Sequence, residues 1–570
     1  MQRSPLDRRA TFQPGIHVSS FCSLRQLASL AYSLVLLTVL MPASPLAQSK
    51  QIQAAQRYLN IPIGRQTKLR IFTINEGGSV KRTIPLQLAD GTVDYWIYLD
   101  ISEFKGKTIS VSGPATQQAL DILYQAASIR DSATMYKEVN RPQFHLTVKR
   151  GWSNDVNGPI FFKGQYHLFW QAFPFGVQWD TGFMYWGHAT SKDLVHWTEL
   201  EPALMLDRLG SPWSGSSLID HRNAAGFGKD ALVLVYTAYD RQTKKQVQAL
   251  AYSSDSGSTF TRFEGNPILD TNEEVSSKDT RDPHVFWYAP TKHWVMILFE
   301  KDGLSIFNSS NLKRWTRTSH LRGLYECPDL FELPIDGDAR HTKWVIHGGS
   351  SAYFIGTFDG MTFTPETAQL HYAEGKNAAG SDLLYAAQSF AEMPDGRHIQ
   401  MAWGRIWEQD MPFTQMMLFP TEFRLITTSD GLRMVANPIH EIDLLHAKEH
   451  IWSALTASDV EAKLQSMGAG PLDARMDITL PPSGALTLQY QGTNLVTLHS
   501  ADLPGGHGSV QLLVDKTVVE LFVNDGRRYI VRELPASKSR TGLAFRLEGI
   551  GTTLDHLEIY DLKSIWESGA

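Results

Sequence analysis

The chain has 570 residues, which at about 150 per domain gives three to four units, and its 53 Lys plus Arg against 59 Asp plus Glu leave a formal charge of −6. That balance offers no basic field for nucleic acid or anionic lipid, and favours a neutral or polar small molecule as partner. With 42% hydrophobic and 11% aromatic residues it is neither disordered nor collagen-like, and its two cysteines, Cys22 and Cys327, exclude a disulfide scaffold and a cysteine-rich metal centre.

In chain order, Arg3, Arg8, Arg9 and Arg25 precede an apolar run over 27–41, and small residues follow with a cut expected after Ala47. This is the layout of a secretory signal over 1–47, so the protein is expected in the periplasm or outside the cell. The run is shorter than the roughly 18–20 residues that cross a bilayer, so no stable membrane span is expected. Cys22 precedes the run, where a lipid-anchoring cysteine would follow it, which leaves Cys327 as a lone thiol. From 48 to 135 apolar and polar residues alternate over 70–74, 83–88 and 94–99 between Gly-rich turns, predicting a small β-rich domain. After Pro114, Leu120, Leu123, Tyr124 and Ala127 share one helical face and predict a short helix.

The middle of the chain repeats weakly. Ser191-Lys192-Asp193-Leu194-Val195-His196-Trp197 recurs as Ser309-Ser310-Asn311-Leu312-Lys313-Arg314-Trp315, with looser relatives over 254–260 and 358–363. The closing rings stand at 197, 260, 315 and 363, slightly above the roughly 40–50 residues of common propeller repeats. A β-propeller and an ordinary meander with shared turn chemistry both fit the repeat alone. After about residue 425, strands over 511–515, 518–523 and 528–531, with Asn524-Asp525-Gly526 between the last two, predict a β-sandwich.

No phosphate loop, Gly-x-Ser-x-Gly elbow or His-Glu-x-x-His is present, and His440 and His446 are too far apart to share a zinc on one helical face. Most of the 19 histidines therefore read as structural or surface groups. Three carboxylates keep unusual company. Asp155 lies in the polar segment 151–158, read as a turn before a strand over 161–170. Asp282 stands between Arg281, expected to keep it ionised, and Pro283, which fixes the chain. Glu326 lies among apolar and aromatic residues that could make it a general acid. Taken singly, each has a bland alternative: a structural turn, a surface ion pair and a buried structural glutamate.

Together, Asn154-Asp155-x-Asn157-Gly158, Arg281-Asp282-Pro283 and Tyr325-Glu326-Cys327-Pro328-Asp329 resemble the signature blocks of glycoside hydrolase family 32, the β-fructofuranosidases, which include invertases, levanases and inulinases. The resemblance continues through 166–171, 186–191, 213–216, 385–388 and 519–526. It implies an all-β chain: a five-bladed β-propeller catalytic domain over 141–430, a C-terminal β-sandwich over 440–570, and an N-terminal accessory domain like that of some bacterial fructan-degrading members. It implies Asp155 as nucleophile, Glu326 as general acid/base and Asp282 as transition-state stabiliser, with Asn154, Gln171, Trp179, Trp213, Ser214, Arg281, Asp382 and Trp403 lining a fructose pocket. The expected partner is a fructan or sucrose; retaining chemistry needs two carboxyl groups about 5–5.5 Å apart and no metal or organic cofactor. The family usually has proline where this chain has Val156, which is expected to loosen the turn beside the nucleophile. An exo-acting hydrolase leads; a fructosyltransferase and a non-catalytic fructan-binding protein are the alternatives. Linkage preference and oligomeric state are not set by these motifs.

Overall fold

A computed structural model describes residues 47–566 apart from 457–458, 461–462, 465–469, 491, 536–541 and 549–551; all of the expected leader but Ala47 lies outside the described residues. The chain is nearly all β, and no helix among the described residues is long and apolar enough to cross a membrane.

The leading strands form two sheets. One runs Gln48–Gln53, Thr108–Gly113, Arg70–Glu76, Ser79–Leu86, and the other Tyr95–Asp100, Tyr58–Ile63, Tyr124–Ala126. In Tyr95–Asp100 the alternation seen in sequence is the alternation of burial: Tyr95, Ile97 and Leu99 face the core. The expected helix forms only over Gln117–Asp121, started by Thr116 Oγ1 accepting from Ala119 N at 3.1 Å. Tyr124, expected on its face, instead opens a strand that extends the sheet beside Tyr58–Ile63 and sets its ring against Trp96. Sheet pairing there outweighs the helical periodicity.

Between 151 and 322 three sheets of antiparallel strands follow in series, the first joined by Phe413–Thr414 parallel to Gly151–Phe162, and a ten-stranded sheet continues to residue 438. The sequence repeat is a repeated turn. Asp193 Oδ1 accepts from the backbone N–H of Val195 and His196, Leu194 has φ +65°, and Trp197 Nε1 donates to Leu194 O. Asn311 Oδ1, Leu312 at φ +62° and Trp315 Nε1 reproduce every contact. Asp255 and Asp359 hold the looser copies by accepting from Thr259 N and from Met361 N and Thr362 N.

Five strands are tied to one another by side chains rather than by ladders: Gly151–Phe162, Ser211–Asp220, Thr280–Tyr288, Asp329–Ile335 and Leu384–Ser389. Ser217 Oγ donates to Gly158 O (2.6 Å), and Val285 N donates to Ser216 Oγ (2.9 Å). Asp329 lies 3.3 Å from His284 Nε2 and accepts from Ser389 N (2.8 Å). Gln388 accepts from Gly158 N (2.7 Å) and donates to Gly215 O (3.1 Å), so the bonds return from the last strand to the first. Gly158 has φ +48°, and a Cβ there would lie 2.4 Å from Ser217 N, which is why glycine stands at this close approach.

This arrangement corrects the reading of 151–158 as a turn. The segment is the first half of strand Gly151–Phe162, with bulges at Ser153/Val156 and Asn157/Ile160, and the hairpin turn falls at Lys163-Gly164, inside the expected strand 161–170. Polar residues belong in this strand because neighbouring strands satisfy them. Val156 pairs with Trp170 and is wholly buried in the hydrophobic core.

After residue 440 a seven-stranded and a three-stranded sheet follow, the first including His507–Val514, Val518–Val523 and Arg528–Glu533 as the sequence foretold. They are joined to the preceding sheets by Ala373–Glu374, which pairs with Arg528–Glu533, and by His145, buried between Asp515 (2.9 Å) and Glu520 (2.7 Å). The two carboxylates hold its pKa up at about 9 against the opposing effect of burial, so it is an imidazolium.

Candidate active site

The polar groups that matter sit where strands break register. Bulges interrupt the ladders between Ser153 and Val156, Pro212 and Gly215, Arg281 and His284, and Tyr385 and Gln388. A bulge inserts a residue and re-aims its side chain. These four deliver Asn154 and Asp155, Trp213 and Ser214, Asp282, and Ala386 with Ala387. Four non-glycine residues in this region hold left-handed backbone, Asp282 at φ +63°, Glu326 at +49°, Cys327 at +38° and Ala386 at +47°, a conformation that costs about 1–3 kcal/mol per residue and collects at functional sites. The Tyr325–Glu326 backbone is clamped by Gly349 N, which donates to both carbonyl oxygens at 2.8 Å.

The side chains meet in one cleft of about 250 Å³. Asp155 accepts from Asn154 Nδ2 (3.0 Å) on one oxygen and from Ser214 Oγ (2.8 Å) on the other. Burial and then the charge of Glu326 raise its pKa, while these two hydrogen bonds pull it down. Asp282, 3% exposed, accepts from Cys327 N (3.1 Å); burial raises its pKa, Arg281 opposes, and Glu326 and Asp155 push it further up. The Cys327 thiol lies 3.6 Å from Asp282 and 3.9 Å from Asp155, and its pKa is driven far up by burial and then by the carboxylates around it, so it stays a neutral thiol.

Arg281 is placed differently from expectation. Its guanidinium grips Glu326 Oε1 through Nη2 (2.5 Å) and Nε (3.1 Å) and reaches Asp279 at 2.7 Å, whereas Asp282 lies 3.9 Å away. Glu326 likewise is not in an apolar setting: its other oxygen accepts from Tyr385 Oη at 2.7 Å. Arg281 rests over the Phe299 ring, 4.8 Å from its centre.

Of the residues expected from sequence, Asn154, Asp155, Gln171, Trp179, Trp213, Ser214, Arg281, Asp282 and Glu326 line this cleft together. Asp382 does not; it pairs with Lys376 at 2.6 Å on the surface. Trp403 does not line the cleft either; its ring lies against Trp152 and its Nε1 donates to Gln415 Oε1. Sequence reasoning missed Gln246, Asp279 and Thr181 in the lining and Tyr385 on Glu326. Asp279 and Tyr385 stand inside motifs already singled out; Gln246, in an unremarkable strand, carries no local signal. Elsewhere Asp443, His446 and Asp473 gather ligand-type atoms, but Arg475 pairs with both aspartates and supplies the cation there.

Residues 145–438 match the family model described as the glycosyl hydrolases family 32 N-terminal domain. The chain belongs to glycoside hydrolase family 32. It is therefore a glycosidase, and its relatives agree. It is 34% identical to the levanase of Bacillus subtilis (strain 168) over 77% of this chain and 73% of that one. It is 28% identical to an extracellular exo-inulinase of Aspergillus niger, over 76% and 96%. Among solved structures, the exo-inulinase of Aspergillus awamori superposes with a TM-score of 0.65 at 26% identity, covering 76% of this family 32 chain and 100% of that one. The fructofuranosidase of Schwanniomyces occidentalis in complex with fructose gives 0.64 at 25%, over 76% and 100%.

Proposed function

We propose that this protein is an exported, retaining β-fructosidase that removes terminal fructose from levan, inulin or sucrose by double displacement. The observation that carries the reading is the meeting of Asp155, Asp282 and Glu326, far apart in sequence, in one cleft with amide, hydroxyl and indole groups. Asp155 attacks the anomeric carbon of the fructosyl unit while Glu326 gives its proton to the departing glycosidic oxygen, so one C–O bond forms as another breaks. The product is a fructosyl ester of Asp155. Glu326, now a carboxylate, takes a proton from water, whose oxygen attacks the same carbon and frees Asp155. Hydrogen bonds from Ser214 and Asn154 hold the Asp155 carboxylate as an acceptor rather than a donor, as a nucleophile requires. Asp282 stabilises the developing oxocarbenium charge, and Arg281 orients Glu326.

The circuit of five cross-bonded strands and their sheets supports a five-bladed propeller over 141–430, with a sandwich over 440–570 and an accessory β domain over 48–135. Export is supported by the signal-like leader and by relatives named as extracellular enzymes. The test is fructose release from sucrose, inulin and levan with the products identified over time. Asp155→Asn and Glu326→Gln are each expected to abolish release while melting as the wild type does; near-normal rates in either would refute the assignment. Early free fructose marks exo action and early oligosaccharides endo action.

A further inference from the structure

The leading β region touches the catalytic part of the chain at an instructive place. Two loops without regular structure flank Trp152, whose indole donates to Asn154 Oδ1 beside the nucleophile. The first, 174–180, carries Trp179, which is 58% exposed, lines the cleft and stacks with Trp152 at 6.5 Å. The second, 405–412, carries Trp407, which is 52% exposed and meets Trp152 edge-on at 5.9 Å. Exposed rings on irregular segments are held only as firmly as their backbones are.

Both backbones are held from the same spot. Tyr95 Oη accepts from Val177 N (3.3 Å), two residues before Trp179. Arg65 Nη2 donates to Met411 O (2.8 Å), four residues after Trp407. The two residues are one unit, since the Arg65 guanidinium lies 4.8 Å above the Tyr95 ring. The unit is itself fixed: Arg65 N donates to Asp94 Oδ2 (2.6 Å), Gln87 Nε2 donates to Arg65 O (3.2 Å), and Tyr95 is buried in strand Tyr95–Asp100. Both outward bonds go to main-chain atoms of the loops, so what they set is the path of the backbone.

We propose that Arg65 and Tyr95 are positioning residues through which the leading β region fixes the loops bearing Trp179 and Trp407, and so sets how tightly the ring-lined side of the cleft holds sugar. This rests on the reading of the cleft as a fructosidase site. A loop that must be ordered by its ligand charges that ordering to binding, whereas a loop ordered in advance does not. Neither residue reaches the carboxylates, so the effect falls on KM rather than on kcat.

The experiment uses the full chain with Arg65→Ala and Tyr95→Phe, the second keeping the ring and removing only the hydroxyl. Fructan KM and kcat, melting temperature, and hydrogen–deuterium exchange of segments 174–183 and 405–412 are measured. Expected are faster exchange confined to the loop each residue holds, KM raised about 3- to 10-fold, as the net loss of one hydrogen bond gives, kcat within about two-fold, and little change in melting. Arg65→Lys, which keeps a donor for Met411 O, is expected to recover most of the wild-type KM. Unchanged exchange or unchanged KM in an active protein overturns the proposal, as does a loss of kcat that tracks a loss of melting temperature. A wild type that releases no fructose would sink instead the reading on which the proposal rests.

Discussion

Replacing Arg281 by glutamine is the sharpest test of the site's electrostatics. Arg281 is 7% exposed and is the cation that Asp282, Glu326 and Asp279 share across the cleft. Burial already holds Asp282 above the ordinary carboxylate range, and Arg281 is the chief influence drawing it down. An adjacent arginine lowers a carboxyl pKa by about 1–3, so its loss raises Asp282 further by that order. The acid limb of kcat/KM, which reports carboxylates that must be ionised, then moves to higher pH by about 1–3 pH units. Breaking a buried ion pair from one side costs about 3–5 kcal/mol where the remaining charge stays ionised. That cost shrinks as the pH falls and the carboxylates take up protons, so the variant's melting temperature approaches the wild type's in acid. Initial rates of fructose release from pH 4 to 9, with a melting curve at each pH, measure both effects. A profile that superimposes on the wild type after scaling would refute the reasoning, because it would mean that Arg281 does not set the charge of this cluster.

Two further substitutions probe neighbouring groups. Ser214→Ala removes one of the two hydrogen bonds to Asp155; a bond to a charged group is worth about 1.5–3 kcal/mol, so kcat is expected to fall about 10- to 100-fold and the acid limb to shift upward, and a rate within two-fold of wild type would contradict the role given to Ser214. Glu408 is buried with its pKa raised to about 8 by burial first, one oxygen accepting from Thr517 Oγ1 and the other without a partner. Its folded pKa lies above the unfolded value near 4.5, so the folded state holds an extra proton between those limits and stability falls as pH rises from about 4.5 to 8. Glu408→Gln removes that dependence: the variant is expected to gain on the wild type by a few kcal/mol between pH 5 and 8, and parallel stability curves would show that Glu408 does not titrate in this window.

What the sequence discloses here is what local chemistry decides. The Ser-x-Asp/Asn turn closed by tryptophan is legible because its hydrogen bonds lie within six residues, and both full copies form them alike. The segment 151–158 misleads for the opposite reason. Its glycines and polar side chains suit a turn, and only pairing with strand Gln165–Phe173 and hydrogen bonds with Gln388 and Ser217, on other strands, make it a ladder segment with satisfied polar groups. The site divides the same way. The three carboxylates stand in motifs and are found by reading; Gln246 is found only by folding. Arg281 reads from sequence as the partner of Asp282; it stays within 3.9 Å of that neighbour, while its direct hydrogen bonds go to Glu326, which no local pattern announces.

That division explains why so small a part of the chain carries so much of the chemistry. Asp155 and Asp282 stand at bulges inside strands Gly151–Phe162 and Thr280–Tyr288, and Glu326 lies three residues before strand Asp329–Ile335. The left-handed backbone of Asp282 is thereby held within a ladder, while that of Glu326 and Cys327, outside any strand, is held by hydrogen bonds from Gly349 N to Glu326 O and from Cys327 N to Asp282. Cys327 completes the device. Its backbone N–H donates to Asp282, and its neutral thiol lies 3.6 Å from Asp282 and 3.9 Å from Asp155. A side chain carrying a charge there would change the ionisation of both aspartates, and a larger one would drive them apart. A small, buried, uncharged thiol does neither.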